Sequence, residues 1–168
     1  MRYAGIIKND FNACPGVAVT LFTQGCPHRC DGCHNPEAWE FSGGHLYTRE
    51  TENEILEALT ANGIKRDLCI MGGEPLTDMN FSNLVWLCLA ARANVSGIKI
   101  YLWTGYTYEE ILKLKKIKWE YLLKQIDYLI DGRYVKELRD ITLPMRGSSN
   151  QRILELKNGE VVNEHWSL

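Results

Sequence analysis

The chain has 168 residues, 45% of them hydrophobic and 24% charged, an ordinary globular mixture that excludes a disordered or fibrous protein. With 19 Lys and Arg against 21 Asp and Glu, the net charge of −2 shows no strong basic patch, so neither nucleic acid nor a membrane is an expected partner. A chain of this length is expected to form one domain over residues 1–168, with a core that needs no disulfide staples. The opening MRYAGIIKND lacks the apolar stretch of a leader peptide. A soluble, cytoplasmic protein is expected, whose six cysteines are thiols or metal ligands.

In chain order, Val17–Phe22 reads as a buried strand, rich in β-branched and aromatic residues and free of charge. A glycine- and cysteine-rich loop of about 25 residues follows, too long for an idle connection in a compact domain. Thr51-x-x-Glu54 predicts a capping box, with Ile55, Leu56 and Leu59 as the apolar face and Gly63 as the stop. A strand over 67–71, a helix near 81–93 and a strand over 98–103 come next. Thr107-x-x-Glu110 opens another capped helix, marked by Ile111, Leu112 and Leu114, and 126–131 reads as a fourth strand. Strand–helix alternation implies right-handed crossovers and a mostly parallel sheet. The Asn158-Gly159 pair, between extended runs at 151–156 and 160–166, predicts a C-terminal hairpin.

The residues that follow the strands are unusual. After the first stand Thr23-Gln24-Gly25-Cys26; after the second, Gly72-Gly73-Glu74-Pro75; after the third, Thr104-Gly105-Tyr106; after the fourth, Asp131-Gly132-Arg133. Parallel α/β proteins bind ligands at the carboxyl ends of their strands, so these four segments mark one functional rim. Paired glycines let backbone approach a ligand without a Cβ in the way, and Glu74 supplies an acceptor for an ammonium group. A side chain at Gly73 is therefore expected to obstruct ligand while leaving the cysteine loop intact. Thr104 and Asp131 are read as contacts to a ligand or as caps of the following segments.

Cys26, Cys30 and Cys33 stand in the spacing C-x3-C-x2-C, while Cys14, Cys69 and Cys88 read as small buried hydrophobes. Four centres compete for the trio. Zinc would take the three thiolates with His28 or His34. Cys30-x-x-Cys33-His34 also matches a haem attachment, and Cys30 with Cys33 a redox dithiol. The fourth is an iron–sulfur cluster held by three cysteines, with one iron open to a ligand that is not protein. That open position is what distinguishes a catalytic centre from a structural one, and the cluster is preferred.

With Gly-Gly-Glu-Pro after the second strand, this spacing resembles the radical S-adenosylmethionine (SAM) superfamily. GCPHRCDGCHNPEAW, WTGY at 103–106, DYLIDGRYV at 127–135 and RGSSNQR at 146–152 resemble, more narrowly, the activating proteins of anaerobic ribonucleoside-triphosphate reductase. The resemblance runs from about residue 3 to 157, with no departure at the cluster positions. It implies an α/β partial (β/α) barrel of the radical SAM type, with a C-terminal hairpin. It implies one 4Fe–4S cluster on Cys26, Cys30 and Cys33. It implies SAM against Gly32, Cys33 and His34 on the adenosine side and Gly72, Gly73 and Glu74 at the methionine amino group, with Thr104 and Asp131 as further candidates. The implied activity is formation of a 5′-deoxyadenosyl radical that installs a glycyl radical on the reductase large subunit, with an electron donor such as flavodoxin or ferredoxin. Activation of another glycyl-radical enzyme, such as pyruvate formate-lyase, and a non-catalytic zinc module are the alternatives. RGSSNQR and its hairpin are read either as a docking surface for the reductase or as a structural turn.

Overall fold

A computed structural model of the chain describes residues 1–166. Eight strands form one mixed sheet: β1 (Arg2–Asp10), β2 (Ala18–Thr23), β3 (His45–Leu46), β4 (Asp67–Gly72), β5 (Ile100–Trp103), β6 (Tyr128–Asp131), β7 (Arg152–Lys157) and β8 (Glu160–His165). Their order is β3-β1-β2-β4-β5-β6-β7-β8. The four central strands, β2, β4, β5 and β6, are parallel. The flanking pairs are antiparallel. The sheet ends at β3 and β8 and does not close on itself.

Side-chain alternation along the central strands divides two cores. Val19, Leu21, Leu68, Ile70, Ile100, Leu102 and Leu129 face one side. There they meet α1 (Arg49–Thr60), α2 (Phe81–Asn94), α3 (Tyr108–Lys113) and α4 (Ile117–Leu123). Ala18, Cys69, Tyr101 and Ile130 face the other side, with Ala13, Cys14, Ile153 and the partly buried Met71, Trp103, Tyr128 and Met145. Period-two alternation with both faces apolar is what a sheet covered on both sides requires. Cys14, Cys69 and Cys88 are buried free thiols, and burial pushes the Cys88 thiol up to about 12. They behave as small apolar side chains, in agreement with the sequence.

The predicted strands and helices form within a few residues of their expected bounds, with three corrections. The cap of α1 is Thr48, whose hydroxyl accepts from the Thr51 amide, while the Thr51 hydroxyl accepts from the Thr48 amide; Thr51 is the third helical residue, not the cap. Two strands, β1 and β3, extend the sheet beyond β2 on the side where the sequence predicts none. A short helix, α4, fills the stretch between α3 and β6. The Thr107–Glu110 capping box and the hairpin form as expected, with Asn158 (φ 54°) and Gly159 (φ 84°) both left-handed.

Candidate functional site

The cysteine loop leaves β2 at Thr23 and returns at β3, and backbone bonds tie it to the sheet. The Gly25 amide donates to Ala38 O (2.8 Å) and the Cys26 amide to Trp39 O (3.0 Å), so a 3-10 turn at Pro36–Trp39 braces the first cysteine. The Gln24 amide group reaches Glu37 O and Glu40 O, and the Arg2 guanidinium of β1 reaches Gly43 O and Gly44 O. The strand that sequence reading passes over thus anchors the far limb of the loop. Cys26, Cys30 and Cys33 are all half-buried. Burial is the main cause that raises the Cys26 and Cys30 thiols above their usual range. The Glu74 carboxylate adds to it at Cys26, and the neighbouring Cys33 at Cys30. A bound metal centre reverses that preference, because a coordinating thiol is deprotonated.

Among the described residues, no three His, Cys, Asp or Glu side chains are arranged to hold a single metal ion. The histidine a zinc site would need most is also committed elsewhere. His28 is almost fully buried; its Nε2 lies 2.8 Å from Glu74 Oε2, and its Nδ1 accepts from Arg133 Nε at 3.1 Å. Its ring meets Tyr106 edge-on at 4.5 Å. His34, by contrast, is exposed.

The second rim segment is bonded directly to the first. The Gly73 amide donates to Thr23 O and the Glu74 amide to Gly25 O, both at 2.8 Å. A Cβ built on Gly73 would stand 2.5 Å from Gly25 O, and one on Gly72 (φ 106°) 2.7 Å from Thr23 N and O. Here the expectation for Gly73 is corrected: the space that a side chain would take belongs to the backbone beside Cys26. Gly32, left-handed at φ 69°, faces Lys136 and Tyr134.

Glu74 is fully buried at the centre of the rim. Its Oε1 accepts from the Leu76 amide and the Thr104 hydroxyl, and its Oε2 from the Gly105 amide, each at 2.8 Å, beside the His28 contact. Thr104 therefore orients Glu74. Asp131, also buried, accepts from the Tyr108 amide (2.8 Å) and from both Nε and Nη2 of Arg152, capping α3 and joining it to β7. Both residues serve as internal partners in this structure.

Sequence reasoning put Tyr106 and Arg133 on the rim and weighed His28 only as a zinc ligand, but gave none of them its partner, and it missed Arg152. His28 lies inside the cysteine motif, and the other three follow strand ends or open a strand; position was the available signal. RGSSNQR is a brace. Gln151 Nε2 donates to Gly132 O and Asn150 Nδ2 to Arg133 O, while the Ser148 hydroxyl accepts from the Val135 amide. Arg146 donates to Trp166 O and lies over its ring. These bonds fix residues 132–135 beside the cysteine loop, which Arg133 touches through His28 and the following Lys136 through Asp31.

Residues 13–154 match the family model of the 4Fe-4S single cluster domain. The anaerobic ribonucleoside-triphosphate reductase-activating protein of Vibrio cholerae is 40% identical over 154 residues, covering 91% of this chain and 97% of that protein. The protein of the same name from Escherichia coli K12 is 35% identical, covering 94% of this chain and all of its own length. That of enterobacteria phage T4 is 37% identical, covering 95% and 97%. With a cluster-domain match spanning most of its length and relatives this similar from end to end, the chain belongs to the family of anaerobic ribonucleoside-triphosphate reductase-activating proteins.

Proposed function

We propose that this chain is a radical SAM activase that installs a glycyl radical on the large subunit of an anaerobic ribonucleoside-triphosphate reductase. Cys26, Cys30 and Cys33 would hold three irons of one 4Fe–4S cluster, leaving the fourth open to SAM. When bound and reduced, the cluster would supply the one electron that splits the sulfonium of SAM to methionine and a 5′-deoxyadenosyl radical able to take a glycine Cα hydrogen. The chain's own residues bind, orient and shield.

The observation that carries this reading is the backbone seam between Gly25, beside the first cysteine, and the Gly73–Glu74 turn. It holds the thiols and the ligand turn as one unit at the carboxyl ends of the parallel strands, where positioning decides which bond reacts. Gly72 and Gly73 stand at the methionine end, where their missing side chains admit the Thr23 and Gly25 backbone, and Gly32 and His34 border the adenosine side. Three of the four bonds to Glu74 come from the fixed Leu76 and Gly105 amides and from Thr104. The His28 contact is the one a bound ammonium replaces. Asp131 serves the site through Arg152 and α3. The open, partial-barrel character of the fold suits a protein substrate, since the unclosed sheet and short chain leave little to enclose a small one. A low-potential flavodoxin or ferredoxin supplies the electron, in the cytoplasm. Among the described residues no helix is long and apolar enough to cross a membrane.

The test is anaerobic. Reduced protein with SAM is expected to release 5′-deoxyadenosine and, with the reductase subunit, to give a glycyl radical signal by electron paramagnetic resonance. A colourless preparation containing zinc and no iron would overturn the assignment. SAM cleavage that labels pyruvate formate-lyase but not the reductase would replace the partner.

A further inference from the structure

The near-neutral charge of the whole chain hides a local excess. Residues 112–121, LKLKKIKWEY, carry four lysines and one glutamate in a protein of net charge −2, which corrects the sequence-based expectation of no basic patch. Lys113, Lys115 and Lys118 are exposed along α3, the turn after it and α4. Among them stand Leu114 and Ile117, the latter 80% exposed, and Met79 is exposed on the neighbouring β4–α2 connection. Lys116 joins that connection to the patch through Asp78, 3.6 Å away. An apolar centre inside a predominantly basic rim, with Asp78 and Glu120 its acids, is the anatomy of a transient, electrostatically steered docking site.

The patch is also the outer end of a line of touching rings. The Lys116 ammonium lies 4.2 Å over Trp119. Trp119 is buried, and its ring lies 5.1 Å from that of Tyr106. Tyr106 in turn meets His28, 4.5 Å away, between Cys26 and Cys30 in the chain. Electronic coupling through protein falls steeply with distance, so rings in contact from the surface to the cysteine loop favour electron transfer along that line.

We propose that the α3–α4 face, Lys113 to Lys118 with Ile117 at its centre, docks an acidic one-electron carrier protein. Trp119, Tyr106 and His28 bridge that protein to the cysteine loop. This rests on the reading that Cys26, Cys30 and Cys33 hold an iron–sulfur cluster. In the step, the carrier is oxidised by one electron and the cluster is reduced by the same electron; no bond forms or breaks. Charge complementarity selects an acidic partner, and the ring line selects a carrier over the reductase, whose glycine loop has no use for an electron path. Such an interface is small, roughly under 1,200 Å2 in total, so the spent carrier leaves readily.

The probe is an acidic flavodoxin, titrated onto the cluster-loaded protein at about 0.05 M and about 0.3 M salt. Wild type is expected to bind more weakly at the higher salt. The triple variant Lys113→Glu, Lys115→Glu, Lys118→Glu is expected to lose at least about tenfold in affinity, and as much in the rate of cluster reduction by flavodoxin hydroquinone. Its cluster content, its reduction by dithionite and its binding to the reductase should stay at wild-type levels. Ile117→Asp provides a second, single-site test with the same expected pattern. Tyr106→Leu should keep flavodoxin affinity and slow its reduction of the cluster. The proposal is overturned if the charge-reversed and Ile117 variants bind and accept electrons from flavodoxin as wild type does. It is also overturned if they lose the reductase instead, and the bridge is overturned if Tyr106→Leu is reduced at the wild-type rate. A protein that assembles no cluster yet binds flavodoxin through these lysines would refute the cluster reading and leave the docking surface standing.

Discussion

Replacing Gly73 by alanine tests whether the cysteine loop and the ligand turn are one unit. The added Cβ would lie 2.5 Å from Gly25 O and 3.0 Å from Gly25 C and N, about 0.9 Å short of an ordinary contact with the oxygen. The opposing atoms are backbone, so no side chain can rotate away. Overpacking of this kind costs about 1–3 kcal/mol. The seam's two hydrogen bonds, Gly73 N to Thr23 O and Glu74 N to Gly25 O, are strained together, at roughly 0.5–1.5 kcal/mol each. The expected loss is about 2–4 kcal/mol, a fall in Tm of roughly 5–15 °C for a domain of this size. Circular dichroism melting reads the stability, iron and sulfide analysis the cluster, and anaerobic equilibrium dialysis the SAM affinity. All three should fall together, because the displaced backbone adjoins Cys26. Gly5→Ala is the control: its Cβ meets nothing within 4 Å and should change stability by no more than about 0.5 kcal/mol. Wild-type Tm and full iron content, with SAM binding alone lost, would refute the seam argument.

Replacing Cys26, Cys30 or Cys33 by alanine should abolish the cluster by visible spectrum and iron content. Cys88→Ala should cost only packing, of order 1 kcal/mol by urea denaturation, since its thiol is buried in the core under the helices. Glu74→Ala should destabilise by roughly 2–5 kcal/mol, because it leaves the Leu76 and Gly105 amides without their acceptor, and melting of the cluster-free chain should show it. The Arg152 guanidinium holds the Glu109 carboxyl well below its usual range, at about 2. A depressed folded value means that the pair's stabilisation is complete above the ordinary glutamate range and is lost as pH falls towards 2. The Tm of Glu109→Gln should therefore lie slightly below wild type at neutral pH and converge with it near pH 2. The gap should be small, because the carboxylate is more than half exposed.

Much of this was legible because the signals were local. Asn158-Gly159 specifies its turn by backbone conformation alone, and Thr107 with Glu110 closes a cap within four residues. The central strands announced themselves by uninterrupted apolar runs. β1 did not, because Arg2–Asp10 mixes glycine, lysine and aspartate along a half-exposed strand whose pairing partners are distant in sequence. The α1 cap was misplaced by three residues because Thr48 and Thr51 satisfy one another, while Thr51 and Glu54 only look like such a pair. At the site, the residue types were readable but their partners were not. A buried carboxylate beside two glycines reads as a ligand group, and nothing local to residues 72–75 reveals that Thr104, Gly105 and His28 fill its acceptors.

That network changes what the narrower motifs mean. Within WTGY, Trp103 Nε1 donates to Met145 O, Thr104 and the Gly105 amide bind Glu74, and Tyr106 supports His28. Gly105 has no room for a Cβ, which would stand 2.4 Å from the His28 ring. Within RGSSNQR, Ser148, Asn150 and Gln151 hold residues 132–135, and Arg152 clasps Asp131. The bonded side chains of both stretches therefore set the shape of the rim, while Gly147, Ser149 and Asn150 stand exposed. A surface that discriminates one partner protein from another must be made of outward-facing side chains. The motifs that best resemble one family thus build the socket in which the cysteine loop sits. Exposed residues are what remain available for selecting a partner, among them Ser149 and Asn150 of RGSSNQR and the lysines of the α3–α4 face, the densest run of one charge.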